Sequence, residues 1–296
     1  MIRLGRRQFI LGAGVLAAGG LTRAKEDKPK PPDGTSAKSR VVLVRDPEVL
    51  DSAGKPRPEV LEKMLATGMT ALCAAPDEMA AWASLFRPED TVGIKSNVWK
   101  YLPTPPEMER LLWQKLSALG IKDERLAIDD RGVLENKVFQ KADALINVRP
   151  LRTHYWAGVG SLIKNYIMFS PQPSSYHPDS CASLGAVWSL ERLKERTRLN
   201  ILVMLTPQFH SVGPHEFNPR YLWNYGGLLL GFDPVAVDAI GLRILMKKRS
   251  LFFGQSRPLA TSAKHIGLAD TRYHLGRSDP RQIELILRGE EKDSLL

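Results

Sequence analysis

The chain has 296 residues, 43% of them hydrophobic and 25% charged, with a formal net charge of +10 and two cysteines. That is the make-up of a globular protein with room for one large α/β domain or two small ones, and it excludes wholesale disorder, collagen and coiled coil. Two cysteines exclude a disulfide-knitted scaffold, a four-cysteine zinc site and a self-contained iron–sulfur cluster, and no apolar run reaches the ~20 residues of a membrane span.

The first element is a targeting segment. Gly5-Arg6-Arg7-Gln8-Phe9-Ile10-Leu11 is a twin-arginine stretch, followed by a short Gly/Ala/Leu-rich core from Ile10 to Leu21 and a small-x-small site at Thr22-Arg23-Ala24. Residues 1–24 therefore read as a twin-arginine signal peptide, which implies a periplasmic or otherwise exported protein and a transient encounter with the twin-arginine translocase. Without its four arginines the formal charge is +6, so much of the basicity belongs to targeting and not to nucleic-acid binding. Residues 25–39 are charged, Pro/Gly/Ser-rich and without a hydrophobic run, the pattern of a flexible linker. Residues 40–296 follow as a single α/β domain.

That domain alternates two hydrophobic periods. Val41 to Val44 is a β-branched run and predicts a buried strand. Pro58 to Cys73 and Asp77 to Phe86 have helical spacing, the first with proline preset for its opening turn. Thr91 to Lys95 predicts a second strand, and Glu107 to Leu119 a helix ended by Gly120. Leu126 to Ile128 predicts a third strand and Ala144 to Val148 a fourth, stopped by Pro150. Ile201 to Leu205 gives a fifth. Asp233 to Met246 reads as a helix capped by Asp233, and Ile283 to Leu287 as a last strand. Strands separated by helices of this length imply βαβ units: an α/β fold with a mainly parallel or mixed sheet and helices on both faces.

Such sheets bind ligands outside the carboxyl ends of their strands. Polar residues cluster there in this sequence. Lys95 and Asn97 follow the second strand, and Asp129 and Asp130 the third. Asn147, Arg149, Arg152, Thr153 and His154 follow the fourth, and Thr206 to His215 the fifth.

The same residues carry a family resemblance. Gly93-Ile94-Lys95-Ser96-Asn97 with Thr104-Pro105, the block from Ala142 to His154, Leu162-Ile163-Lys164-Asn165, Gly213-Pro214 and the run Leu228 to Asp238 resemble, in that order, the motifs of the domain of unknown function 362 family. The resemblance covers nearly the whole mature chain and implies an α/β fold, with no assigned activity. The chain departs from the family pattern in having Arg152 in place of a lysine, no glycine soon after Asn165, and no appended ferredoxin module.

The residue types suggest anion chemistry. Guanidinium groups hold carboxylate or phosphate bidentately, lysine supplies a point charge, and asparagine orients what the cations attract. Lys95, His154, Lys164 and Asp238 are the candidate catalytic groups, with Asp238 a general acid/base once paired inside the fold. Asn97, Asn147, Arg149, Arg152, Asn165 and Asp233 are the candidate ligand-binding groups. The ligand is then a small anion, phosphorylated or carboxylated, held or transformed in a basic cleft. The alternative is a non-catalytic binding or assembly protein that uses the same cleft to hold a ligand, cofactor or partner peptide; a purely structural reading makes Lys95 and Lys164 ion-pair partners of Asp129, Asp130 or Asp238. His154, His177, His210 and His215 form a further candidate shell for iron, nickel or zinc, which would bring a redox partner protein with it. Trp156 and Trp223 are aromatic candidates for a pocket wall. Cys73 and Cys181 are lone thiols or an allowed disulfide. There is no Gly-x-Gly-x-x-Gly, Walker loop or Gly-x-Ser-x-Gly, so dinucleotide, P-loop and serine-esterase chemistry lack their mechanical parts.

Overall fold

A computed structural model describes residues 38–296 apart from Val212 and Pro214; the signal segment and almost all of the linker lie outside the described residues. Eight strands form one sheet: β1 Ser39–Arg45, β2 Val92–Lys95, β3 Leu126–Asp129, β4 Ala144–His154, β5 Gly158–Gly160, β6 Thr197–Gln208, β7 Gly227–Gly231 and β8 Ile283–Gly289. Their spatial order is β3-β2-β4-β6-β7-β1-β8, with β5 paired to the far end of β4. β3, β2, β4 and β6 run parallel, as do β1 and β8, while β7 runs antiparallel between β6 and β1. The fold is α/β with a mixed, mostly parallel sheet.

Helices cover both faces because the strands are apolar on both sides. In β1, Val41 and Leu43 enter one core and Val42 and Val44 the other. In β6, Leu202 and Met204 face the first core, and Leu199, Ile201, Val203 and Leu205 the second. The second core is closed by the helices Pro58–Cys73, Glu78–Leu85 and Pro106–Ala118, which contribute Leu61, Leu65, Trp82 and Leu112. The first is closed by the short helix Leu162–Asn165 and the helices Pro234–Phe253 and Lys264–Thr271. Local signals set the helix ends. Asp77 caps the second helix through the Ala80 amide at 2.8 Å, and Asp233 caps helix Pro234–Phe253 through Val235 and Ala236 at 2.8 and 3.1 Å. Gly120, at φ 89°, terminates the third with its amide on the Ser117 carbonyl.

Two expectations change. β4 does not stop at Pro150 but runs on to His154. β2 ends opposite Asn147 and β5 pairs only from Arg152 on, so one side of β4 is unpaired from Val148 to Leu151, and the β4–β6 register shifts between Pro150 and Arg152. A missing amide is tolerated at such a place. Second, β7, a five-residue run with glycine at both ends, escapes a periodicity reading and supplies the antiparallel strand. Cys73 packs against the second core and Cys181 lies in the first; both are free, so the disulfide is not formed.

Candidate functional site

β2 is short and β4 long, so beyond Lys95 that side of β4 has no strand partner from Val148 to Leu151, before β5 pairs from Arg152 on, and the cationic residues gather along this stretch. Lys95 ends β2 with its side chain fully buried. Its ammonium contacts the Asp130 carboxylate, donates to the Ser96 carbonyl at 2.8 Å and reaches Asn165 Oδ1 at 3.4 Å. The second Asp130 oxygen accepts from the Val98 amide at 2.9 Å. Burial pushes Lys95 down to about 8, against the pull of Asp130. Asp130 is held below the usual carboxylate range because Lys95 and the Val98 amide outweigh its burial.

A relay of amides ties this pair to the sheet. Asn165 donates to Asn147 Oδ1 at 2.9 Å and to the Lys95 carbonyl at 3.1 Å, and Asn147 donates to Asn200 Oδ1 and to the Leu162 carbonyl, both at 3.1 Å. Asn200 then donates to the Phe232 carbonyl at 3.0 Å. Across the cluster, Asp238 projects from helix Pro234–Phe253 onto the start of helix Leu162–Asn165. It accepts from Ser161 Oγ at 2.7 Å and from the Leu162 and Ile163 amides at 2.9 Å each. Burial raises it to about 6 in spite of these donors. Its work is to fix the turn that carries Lys164 and Asn165.

Between these two anchored carboxylates lie cations with no such partners. Arg149 is buried and forms no hydrogen bond among the described residues; its Nε is sealed from solvent and unpaired. Arg152 Nε is likewise sealed and unpaired, while its guanidinium lies 4.1 Å from the Trp99 ring centre. Lys164 is 3% exposed and has no hydrogen bond or ion pair among the described residues. Burial lowers all three: Arg149 to about 10, Lys164 to about 8, and Arg152 well below its usual value, with the two arginines disfavouring the lysine's charge further. A guanidinium does not shed its proton in a protein, so it carries the full burial penalty. The cluster therefore sets four cations, Lys95, Arg149, Arg152 and Lys164, against Asp130 and Asp238, with Asp129 acting on Lys95 as well.

Two glycines make room for the guanidinium groups. A Cβ on Gly160 would stand 2.6 Å from Arg149 Nη2, and one on Gly213 would stand 3.1 Å from Arg152 Nη1 and 2.8 Å from the Trp99 ring. His154 closes the end of β4. Its Nδ1 accepts from the Trp156 amide at 3.2 Å, which leaves the proton of the neutral ring on Nε2. Burial and then Arg152, Lys164 and Arg149 hold it well below the usual histidine range. It also borders a cavity of about 20 Å³ lined by Thr153, His210 and Ser211, room for one water.

Residues 127–243 match the family described as Domain of unknown function (DUF362). The DUF362 match begins in β3, ends within helix Pro234–Phe253, and includes Asp130, Arg149, Arg152, His154, Lys164 and Asp238. Lys95 precedes it. No match was found among curated proteins or solved structures.

Lys95, Arg149, Arg152, His154, Lys164, Asn165 and Asp238 thus meet in one place. Asn147 and Asn165 are there as spacers, with their amide donors committed inside the relay. Asn97 is at the rim with a sealed, unpaired Oδ1. Asp233 is elsewhere: β7 is antiparallel, so the residue after it sits at the opposite sheet edge. Its second oxygen is taken by Ser39 Oγ at 2.6 Å and the Arg277 amide at 2.8 Å.

The four histidines do not form a metal shell. Trp156 stands among three of them, stacked on His177 at 4.3 Å and edge-on to His215 at 5.0 Å. His210 is apart, with Nδ1 against Arg249 at 3.0 Å. No group of three or more His, Cys, Asp or Glu side chains suited to a metal occurs among the described residues. Trp223 packs on Phe209 and Tyr225. Three polar participants escaped the sequence reading: Ser161, Asn200 and His265. His265 is wholly buried, forms no well-aligned hydrogen bond at either ring nitrogen, and is pushed down to about 3 by burial, with Lys164 and Arg149 adding to the effect. Its position in a helix some 170 residues beyond Lys95 gives no sequence signal.

Proposed function

We propose that the cluster at the carboxyl end of β4 binds a small anion, a phosphate ester or a carboxylate. The observation that carries this reading is the charge imbalance: buried Arg149, Arg152 and Lys164 have no acidic partner of their own, while Lys95 and Asp130 satisfy each other. An unpaired buried cation costs several kcal/mol, and a bound anion offsets it. The ligand would take bidentate contacts from the guanidinium groups and a point charge from Lys164, with His154 Nε2–H as a neutral donor. Three buried cations without acidic partners of their own favour a doubly charged group over a singly charged one. The amino-terminal twin-arginine run supports export through the twin-arginine translocase, and this binding would then occur outside the cytoplasm. Titration calorimetry with inorganic phosphate and with succinate tests the site. Saturable binding of either, weakened in Arg149→Met, is expected. Failure of both to bind at millimolar concentration would end the reading.

A further inference from the structure

Two lysines occupy this cluster, and they differ in one respect. Lys95 is clamped by Asp130, the Ser96 carbonyl and Asn165. Lys164, on a helix turn pinned by Asp238, has no hydrogen-bond acceptor among the described residues. Its Nζ is not one of the sealed atoms, unlike Arg149 Nε and Arg152 Nε, so the amine keeps some accessible surface. The charged and titratable groups around it are Arg149, Arg152, His154, His177, His265 and the Cys181 thiol, with no carboxylate to hold an ammonium charged.

We infer that Lys164 is an amine nucleophile that forms an imine with an aldehyde or ketone carried on the bound anion. The inference rests on the anion-binding reading. The arginines would hold the anionic group and so bring its carbonyl to the free amine. The lysine nitrogen attacks the carbonyl carbon, a proton passes from nitrogen to oxygen, and water leaves, so that carbonyl compound and amine become imine and water with no net redox change. Burial first, and then the arginines that attract the ligand, lower the amine to about 8, which enlarges the fraction present as free amine. At pH 7 that leaves on the order of a hundred times more free amine than an ordinary surface lysine.

Glyoxylate with sodium cyanoborohydride tests this on the folded protein. Hydride reduces the imine carbon, and the product is a carboxymethyl group on whichever lysine reacted, located by peptide mapping. The expected result is initial labelling of Lys164 at least ~10-fold faster than of exposed Lys63, suppressed by inorganic phosphate and reduced in Arg149→Met while Lys63 is unaffected. Phosphate binding with Lys164 labelled no faster than Lys63 would overturn the imine and leave the anion site standing. Neither phosphate binding nor selective labelling would overturn both.

Discussion

Replacing Arg149 by methionine separates a ligand cation from a structural one, because the two roles predict opposite signs for stability. Arg149 is 3% exposed, makes no hydrogen bond among the described residues, and has a sealed Nε. Its lowering to about 10, with the attraction of Asp130 and Asp238 already acting against it, corresponds to about 3 kcal/mol of net burial cost at ~1.4 kcal/mol per pH unit. Methionine has similar reach and adapts to irregular space, so it keeps most of the packing and removes the charge. The ligand-free variant should gain about 1–3 kcal/mol, and at ~2–4 °C per kcal/mol its melting temperature should rise by several degrees. In the same variant, phosphate affinity should fall at least ~10-fold, the loss of one charge-assisted contact of ~1.5–3 kcal/mol. Differential scanning calorimetry and titration calorimetry on one preparation read both quantities. A melting temperature several degrees lower with unchanged phosphate affinity would refute the reasoning, since it would mean that the fold itself uses the guanidinium.

Lys95→Met should behave in the opposite way. It strands the Asp130 carboxylate at 7% exposure and should cost about 3–5 kcal/mol in urea denaturation, with the double variant Lys95→Met/Asp130→Asn recovering much of the loss. Asp238→Ala releases Ser161 Oγ and the Leu162 and Ile163 amides inside the fold. A loss of about 2–4 kcal/mol is expected, with faster hydrogen exchange at residues 162–165 than elsewhere; a stable variant with unchanged exchange would restore the acid/base role to this carboxylate. Lys164 sets a pH dependence. Between its folded value of about 8 and the ~10.4 of an unfolded chain, the unfolded state binds more protons, so stability rises with pH across that window. Lys95 contributes with the same sign, so the quantity to compare is wild type minus Lys164→Met. The variant should lack about 2 kcal/mol of the rise seen by urea titration from pH 8 to 10, and parallel curves would contradict a buried, unpaired amine.

The elements legible in the sequence are those with a strong local rule. Pro58, Asp77, Gly120 and Asp233 mark helix ends that the backbone confirms, and the strands buried on both faces read as continuous apolar runs. β4 was read short because proline removes a ladder hydrogen bond. Whether that matters depends on how far the neighbouring strand extends, and no local window records that β2 ends opposite Asn147. The antiparallel course of β7 was hidden for the same reason, and with it the side of the sheet on which Asp233 falls. Strand-end polarity identified Lys95, Asp130, Arg149, Arg152 and His154, while Lys164, Asn165 and Asp238 stood out only as parts of the family motifs. It could not rank them, because polar residues gather at both edges of a sheet, and topology alone says which edge is shared.

Lys95 and Lys164 show where ranking begins. Both are lysines at the end of an apolar run, both are followed by a polar residue, and burial lowers both to about 8. Their difference lies in the other residues brought near. Asp130, 35 residues after Lys95, descends from the neighbouring strand and neutralises it, whereas Asp238, 74 residues after Lys164, spends its oxygens on the backbone of the helix that presents the lysine. A carboxylate that caps a turn orients the residues on it without pairing their charge. The same aspartate that fixes where Lys164 points therefore leaves its amine uncompensated, beside two guanidinium groups in the same condition. Stability alone gives no reason to place three unmatched cations in one buried cluster, since apolar side chains of equal volume would fold better. An anion that completes the charge does give one.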